Sequence, residues 1–241
     1  MKKNVKIIVA VIAVVVVVVA VILAVVKRSS GGNLDVVGRE SVTSFEKVLN
    51  AVPDQVTADE VNGGWSLAAP DGGVRFIWSQ DYSSSPLHDV MLELEAKPFL
   101  DAGLDTGKLP ENYAVYDDML MVGSKLGNDK LTYEGEPAAL AAYEQIVDKY
   151  RSSINYHTAL DHYGVKLGDG NMFEWAKNMD TNTVTNENQD KDIVFVLNPE
   201  PLIAAGVDPE KVEGWAYAQV EVEEDGKTMD VYKFLKPFNL Q

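Results

Sequence analysis

Asp89–Leu109 reads DVMLELEAKPFLDAGLDTGKL, and Asp192–Val212 reads DIVFVLNPEPLIAAGVDPEKV. Laid over each other without a gap, the two stretches agree at seven of twenty-one positions, and half of the rest exchange one apolar residue for another. Pro98 meets Pro201, Ala102-Gly103 meets Ala205-Gly206, Asp105 meets Asp208 and Lys108 meets Lys211. The match continues upstream with small shifts. Phe76-Ile-Trp78 answers Phe173-Glu-Trp175, each after a glycine turn, and Phe45-Glu-Lys-Val-Leu49 answers Tyr143-Glu-Gln-Ile-Val147. Three windows in one order, about one hundred residues apart, point to an internal repeat.

Each copy has the same coarse form. Val42, Phe45, Leu49 and Val52 follow helical spacing, as do Leu140, Tyr143, Val147 and Tyr150. Thr43-x-x-Glu46 has the form of a capping box, and Pro137 suits a first helical turn. A hairpin is expected over Trp65–Ala69 and Val74–Ser79, turning at Pro70-Asp71-Gly72-Gly73. Val90, Leu92, Leu94 and Ala96 then alternate with Met91, Glu93, Glu95 and Lys97, which predicts an antiparallel strand with one wet face. Its counterpart Ile193–Leu197 is apolar on both faces and is expected to lie deeper. A short helix runs from Pro98 or Pro201 to Gly103 or Gly206. A closing hairpin is clearest at Trp215–Glu223 and Thr228–Leu235 around Asp225-Gly226. The fold class expected is α+β: two tandem related units, each a helix plus antiparallel sheet, behind an N-terminal transmembrane helix.

That helix is read from Ile7–Val26, twenty consecutive apolar residues. At 1.5 Å per residue they span about 30 Å, the thickness of the hydrocarbon core. Valine is a mediocre helix former in water, but in lipid every backbone polar group must be paired within the segment. A cleaved signal peptide is the rival reading, since Lys2, Lys3 and Lys6 make a basic n-region. The apolar run exceeds the usual ~7–15 residues, however, and leaves the membrane as AVVKRSSGG with no small-x-small cleavage site. The lysines before the run outnumber the nearby Lys27 and Arg28 after it, which places the N-terminus in the cytoplasm and the domain outside. The expected organisation is a stub and anchor over residues 1–28, a linker over 29–37, and repeat units over 38–135 and 136–241.

Beyond residue 26 the chain holds 18 basic against 37 acidic residues, a charge of −19. Such a domain repels nucleic acid and anionic headgroups. Cysteine is absent, which excludes disulfides, thiolate metal sites and lipoprotein anchoring; the lack of any N-x-S/T sequon favours a bacterial source.

Chemistry is sparse. His157 and His162 are five apart and share no helix face, and His88 precedes a strand. Asp105 and Asp208 recur, but at positions where a helical turn restarts, so capping explains them. The polar loop Asn178–Asp192 offers Asp180, Asn182, Asp190 and Asp192 as candidate calcium ligands, although Val184 and Thr185 break the EF-hand pattern. Trp65 and Trp215 are candidates for a ligand-stacking surface, while Trp78 and Trp175 recur as core positions. No Walker A, Rossmann, G-x-S-x-G or H-E-x-x-H motif is present, and no catalytic residue is assigned. The sequence therefore leads to a membrane-anchored, extracytoplasmic binding or assembly module with a protein or cell-envelope glycan partner. A carboxylate-dependent surface hydrolase, or an accessory subunit of a membrane complex suggested by Ala20-xxx-Ala24, are the alternatives.

Overall fold

The computed structural model describes residues 34–59, 64–79, 89–124, 139–158, 160–177 and 193–235. The run Ile7–Val26, His88, Pro137 and the loop Asn178–Asp192 lie outside them. Among the described residues no helix is long and apolar enough to cross a membrane. All the elements below belong to one compact unit, Asp35–Gln241.

The chain forms a helix followed by six strands, and then does so again. Helix α1 covers Val36–Ala51. It is followed by β1 Val56–Asp59, β2 Gly64–Ala68, β3 Val74–Ser79, β4 Val90–Glu95, the short helix α2 Lys97–Asp101, β5 Tyr113–Tyr116 and β6 Met119–Ser124. The second series is α3 Ala139–Lys149, β7 Ile154–His157, β8 His162–Lys166, β9 Met172–Ala176, β10 Ile193–Val196, α4 Pro199–Ala204, β11 Ala216–Glu224 and β12 Lys227–Leu235. The result is α+β: two six-stranded antiparallel sheets with few helices, ordered β1-β2-β3-β4-β6-β5 and β7-β8-β9-β10-β11-β12. The closing hairpins differ in placement. In the first sheet β5 takes the edge and β6 pairs with β4, whereas in the second β11 pairs with β10 and β12 takes the edge.

Turn chemistry uses part of the acidic excess. The non-glycine residues with positive φ among those described are all aspartates: Asp117, Asp118, Asp161, Asp169 and Asp225. A short polar side chain tolerates the left-handed region better than other non-glycine residues do. Asp225-Gly226 turns the last hairpin with both φ positive, as a tight primed turn requires.

Each long helix lies against the other half's sheet. Helix α1 packs on β7, β8 and β9, and α3 packs on β2 and β3, with the two helices touching. The indole N–H groups mark this exchange: Trp175 of β9 donates to Ser44 Oγ of α1 at 3.1 Å, and Trp78 of β3 donates to the Ala139 carbonyl of α3 at 3.1 Å. Aromatic residues from the matching sequence windows meet in the core. Phe76 and Phe173 stack with centroids 4.2 Å apart and planes 9° apart, and Phe45 lies 4.2 Å from Tyr143. Such contacts add about 0.5–1.5 kcal/mol each beyond the area they bury. The Tyr143 hydroxyl, fully buried, is satisfied by Ser41 Oγ at 2.5 Å.

The seam closes reciprocally at the short helices. Asp105 N donates to the Ala205 carbonyl at 2.8 Å, and Asp208 N donates to the Ala102 carbonyl at 2.9 Å. Gly103 and Gly206 stop α2 and α4 at φ 104° and 107°. A Cβ on either would come within 3.0 Å or 2.9 Å of the other's carbonyl oxygen, so both the backbone angle and the close approach require glycine. Asn171, fully buried, ties the halves elsewhere: its Nδ2 donates to the Tyr113 hydroxyl at 2.7 Å and its Oδ1 accepts from Asn198 N at 2.9 Å.

Three expectations are corrected. Thr43 caps nothing: α1 begins seven residues earlier at Val36, capped by Asp35, whose carboxylate accepts from Gly38 N at 2.7 Å. Thr43 lies inside the helix, and its hydroxyl donates to the Arg39 carbonyl at 3.0 Å. Strand β4 has no wet face over most of its length. Met91 and Glu93 are buried, because β4 is flanked on both sides by β3 and β6 and Glu93 pairs with Arg75 on β3. The counterpart β10 is the shallower strand, with Val194 and Val196 half-buried.

Candidate functional site

Helix α1 has two faces of different character. Gly38, Ser41, Ser44, Phe45 and Val48 are buried. Arg39, Thr43 and Lys47 follow one another at four-residue intervals, so they stand one above another along the outer stripe, with Glu40 beside them. With Lys177, just beyond β9, these side chains and Ser44 line an open groove of about 260 Å³. The groove exists because α1 lies across the second sheet, which brings the end of β9 against a helix from the first half.

Its floor and one wall are fixed by hydrogen bonds. Ser44 Oγ accepts from the Trp175 indole and lies 3.3 Å from the Lys177 carbonyl. Glu40 accepts from the Tyr163 hydroxyl at 2.5 Å and from Lys177 Nζ at 3.1 Å. These two bonds, the tyrosine's first, hold the Glu40 carboxyl below the usual range, so it is ionised at neutral pH. The bond to Glu40 in turn raises Lys177, whose ammonium also sits 5.4 Å from the centre of the Tyr156 ring. The lining therefore carries three cationic side chains and one pinned carboxylate.

A second polar constellation lies on the other face of the second sheet. His157 and His162 are directly opposed across the β7–β8 ladder. Helical spacing is the wrong test for them, because a tight hairpin brings residues five apart face to face. Glu174 of β9, only 5% exposed, has its Oε1 3.7 Å from His157 Nδ1. Burial pushes this carboxyl above its ordinary value, and the neighbouring His157 opposes the shift. Gly164 leaves the room: a Cβ there would meet Glu174 Cγ at 3.0 Å.

Of the histidines weighed from sequence, His157 and His162 thus meet in the second constellation, whereas Trp65 and Trp215 do not line the groove. Trp65 is half-buried on β2 of the first sheet, its Nε1 shut from solvent with no partner among the described residues. Trp215 precedes β11 in the second sheet, is 7% exposed and packs 6.1 Å from Phe99. Asp180, Asn182, Asp190 and Asp192 lie outside the described residues. Among the described residues no group of three or more His, Asp or Glu is placed to hold a metal ion. Asp105 and Asp208 accept from Gly107 N and Glu210 N, both at 3.1 Å, and pair with Lys108 and Lys211 three residues on.

The groove was missed in the sequence although one signal was available. Arg39, Thr43 and Lys47 form a polar ladder at i, i+4 and i+8, but a polar helix stripe ordinarily means a solvated face. Only the sheet that α1 crosses turns the stripe into a concavity. Comparison with protein-family models, with curated proteins and with solved structures gives no match.

Proposed function

We propose that this chain is a single-pass membrane protein whose residues 1–28 anchor a duplicated α+β module on the extracytoplasmic side, where it binds or assembles with a partner and performs no catalysis. The anchor rests on Ile7–Val26, twenty apolar residues after a basic start. The duplication, with units over 38–135 and 136–241, rests on the agreement of the three sequence windows. It is supported by the pairing of matched residues across the seam, Phe76 with Phe173 and Gly103 with Gly206.

The observation that carries the binding reading is what the repeated residues do. Phe45 and Tyr143, Trp78 and Trp175, Asp105 and Asp208 all serve packing, helix exchange and capping. Duplication has thus preserved a scaffold, while the open groove on α1, closed by Lys177 of the second copy, is lined along the helix by residues that the repeat does not share: Thr43, Ser44 and Lys47 stand where α3 has Ala141, Ala142 and Gln145. A rigid scaffold with one differentiated concave surface suits recognition.

The orientation is tested by fusing alkaline phosphatase or a green fluorescent protein after Gln241 in a bacterial host. A phosphatase active only when exported, together with a dark fluorescent fusion and recovery of the full-length chain with the membranes, is expected. A bright fluorescent fusion in the soluble fraction would sink the proposal.

A further inference from the structure

We infer that the face formed by α2 and α4 is a contact surface for a second copy of this chain, with Leu100 of each copy set against Ile203 of the other. The inference deepens the assembly reading above and rests on it, because copies that share one membrane meet often enough for a small contact to count. The surface is separate from the α1 groove.

Recurrence and exposure pick it out. Leu100 and Ile203 hold the same place in the two repeat windows, and each is a large apolar side chain left 39% and 42% exposed. A single exposed leucine needs no explanation, but packing gives no reason to keep an apolar residue at an open position twice. The packing is done by the residues beside them: Phe99 and Leu202 are buried and seat the two short helices. Each helix therefore carries one apolar side chain on its covered side and one on its open side.

Local symmetry decides what can use the pair. The reciprocal bonds from Asp105 N to the Ala205 carbonyl and from Asp208 N to the Ala102 carbonyl put a local two-fold axis between Gly103 and Gly206. Ala102 and Ala205 are buried while both glycines are exposed, so that axis emerges at the surface here. Leu100 and Ile203 stand three residues before the two glycines, one on each side of the axis. A partner with one apolar patch would cover only one of them. A second copy, turned about an axis lying in the surface, brings the same pair and covers both at once, which is the self-complementarity of an isologous contact.

Charge selects both the occupant and the register. The chain beyond residue 26 carries a charge of −19, so two copies repel each other over most of their surfaces. Around this face Asp101, Asp105 and Asp208 are each matched by a lysine three or four residues away, Lys97, Lys108 and Lys211. The two helices differ in charge where the repeat differs: the paired Lys97 and Asp101 of α2 correspond to Glu200 and Ala204 of α4. Like helices facing each other would set Glu200 against Glu200. The crossed register sets each Glu200 against the neutral Lys97–Asp101 pair of the other copy, and it brings Leu100 onto Ile203. Helices of five and six residues are each under about 10 Å long, too short for the roughly 800 Å² per partner of a lasting complex, so the contact is weak and must be trapped to be seen.

The chain has no cysteine, so a single introduced thiol can pair only with another copy. Two differently tagged full-length chains, Leu100→Cys and Ile203→Cys, are co-expressed, and the cell fraction that holds them is oxidised with copper phenanthroline. Disulfide-linked dimers carrying both tags are expected to form at least about threefold faster than dimers of either variant alone, because only the crossed pair lies within bonding reach. Thr228→Cys, exposed on β12, sets the rate of chance collisions. Lys97→Glu in both chains should slow the mixed cross-link, and adding Glu200→Lys should restore it, since like charges opposed across a contact are unfavourable. All these side chains are exposed, and circular dichroism spectra that superpose show that each variant is folded. A mixed rate no higher than that of Thr228→Cys, equal rates for mixed and like pairs, or a charge swap that restores nothing would each overturn the inference. The fusions report orientation without any thiol, and the cross-link is read wherever the full chain fractionates, so either result can fail alone.

Discussion

Glu174 shows how one residue couples the fold to pH. Its carboxyl is buried on the outer face of the second sheet and is pushed upward by that burial, with His157 Nδ1 3.7 Å away working against the shift. A carboxyl whose folded value lies above its unfolded one binds more protons in the native state, so ionising it disfavours folding. The penalty is absent below the unfolded value of about 4.3 and grows as pH rises through the folded one. Glu174→Gln removes the ionisation and keeps the shape. Its melting temperature relative to the wild type should therefore climb as pH is raised from about 4 and level off towards neutrality; a difference that stays constant, or shrinks, would show that burial does not govern this group. Gly206 makes a complementary case, in which a single absent carbon matters. Alanine there would have to adopt φ 107° with its Cβ 2.9 Å from the Gly103 carbonyl oxygen. Backbone strain of about 1–3 kcal/mol plus displacement of the opposite strand of the seam predicts a loss of roughly 2–4 kcal/mol. Equilibrium urea unfolding of Gly206→Ala measures it, and a cost under about 0.5 kcal/mol would mean that the seam yields freely.

Among the elements, what the sequence disclosed was local. Period-two alternation and turn residues located β2, β3, β4 and the β11–β12 hairpin within a residue or two, because an antiparallel strand and its turn are specified by neighbours in the chain. Of the two expected helical stripes, Phe45, Tyr143 and Val147 are buried, whereas Val42, Leu49 and Leu140 are half-buried and Val52 and Tyr150 fall just beyond the helix ends, so the spacing marked the covered side of each helix only in part. It could not say what that face is buried against, since a 3.6-residue period records a covered stripe and not its cover. The exchange of α1 and α3 between sheets was accordingly invisible, and with it the groove, whose far wall is Lys177. The depths of β4 and β10 depart from the sequence expectation for a related reason. Glu93 reads as solvent-facing by type, yet its charge is met by Arg75 in the next strand, and a paired carboxylate can be buried where a lone one cannot. His157 and His162 were judged by helical geometry and lie on a hairpin, where the residues that face each other depend on where the turn falls.

The whole molecule is two halves that cannot be parted along the chain. If α1 covered only its own sheet, residues 38–135 would form a lobe able to separate from residues 136–241. Here α1 instead completes the core over β7–β9, α3 completes it over β2–β3, and Tyr217 of β11 donates its hydroxyl to Asp71 in the β2–β3 turn. Removing either helix from its site would expose the aromatic cluster of Phe45, Phe76, Phe173 and Trp175. If the exchange holds the halves together, the link between Ser124 and Ala139 need not be intact for them to stay associated. A site-specific protease sequence placed in that link and cut after folding should leave both fragments in a single peak on native size exclusion in detergent. They should come apart only in denaturant. Cutting also converts unfolding into dissociation, so the urea midpoint of the nicked protein should rise with protein concentration while that of the intact chain does not. A fragment beginning near Ala139 that elutes alone under native conditions would refute the exchange, because α3 would then have to be stable away from the sheet whose tryptophan it accepts.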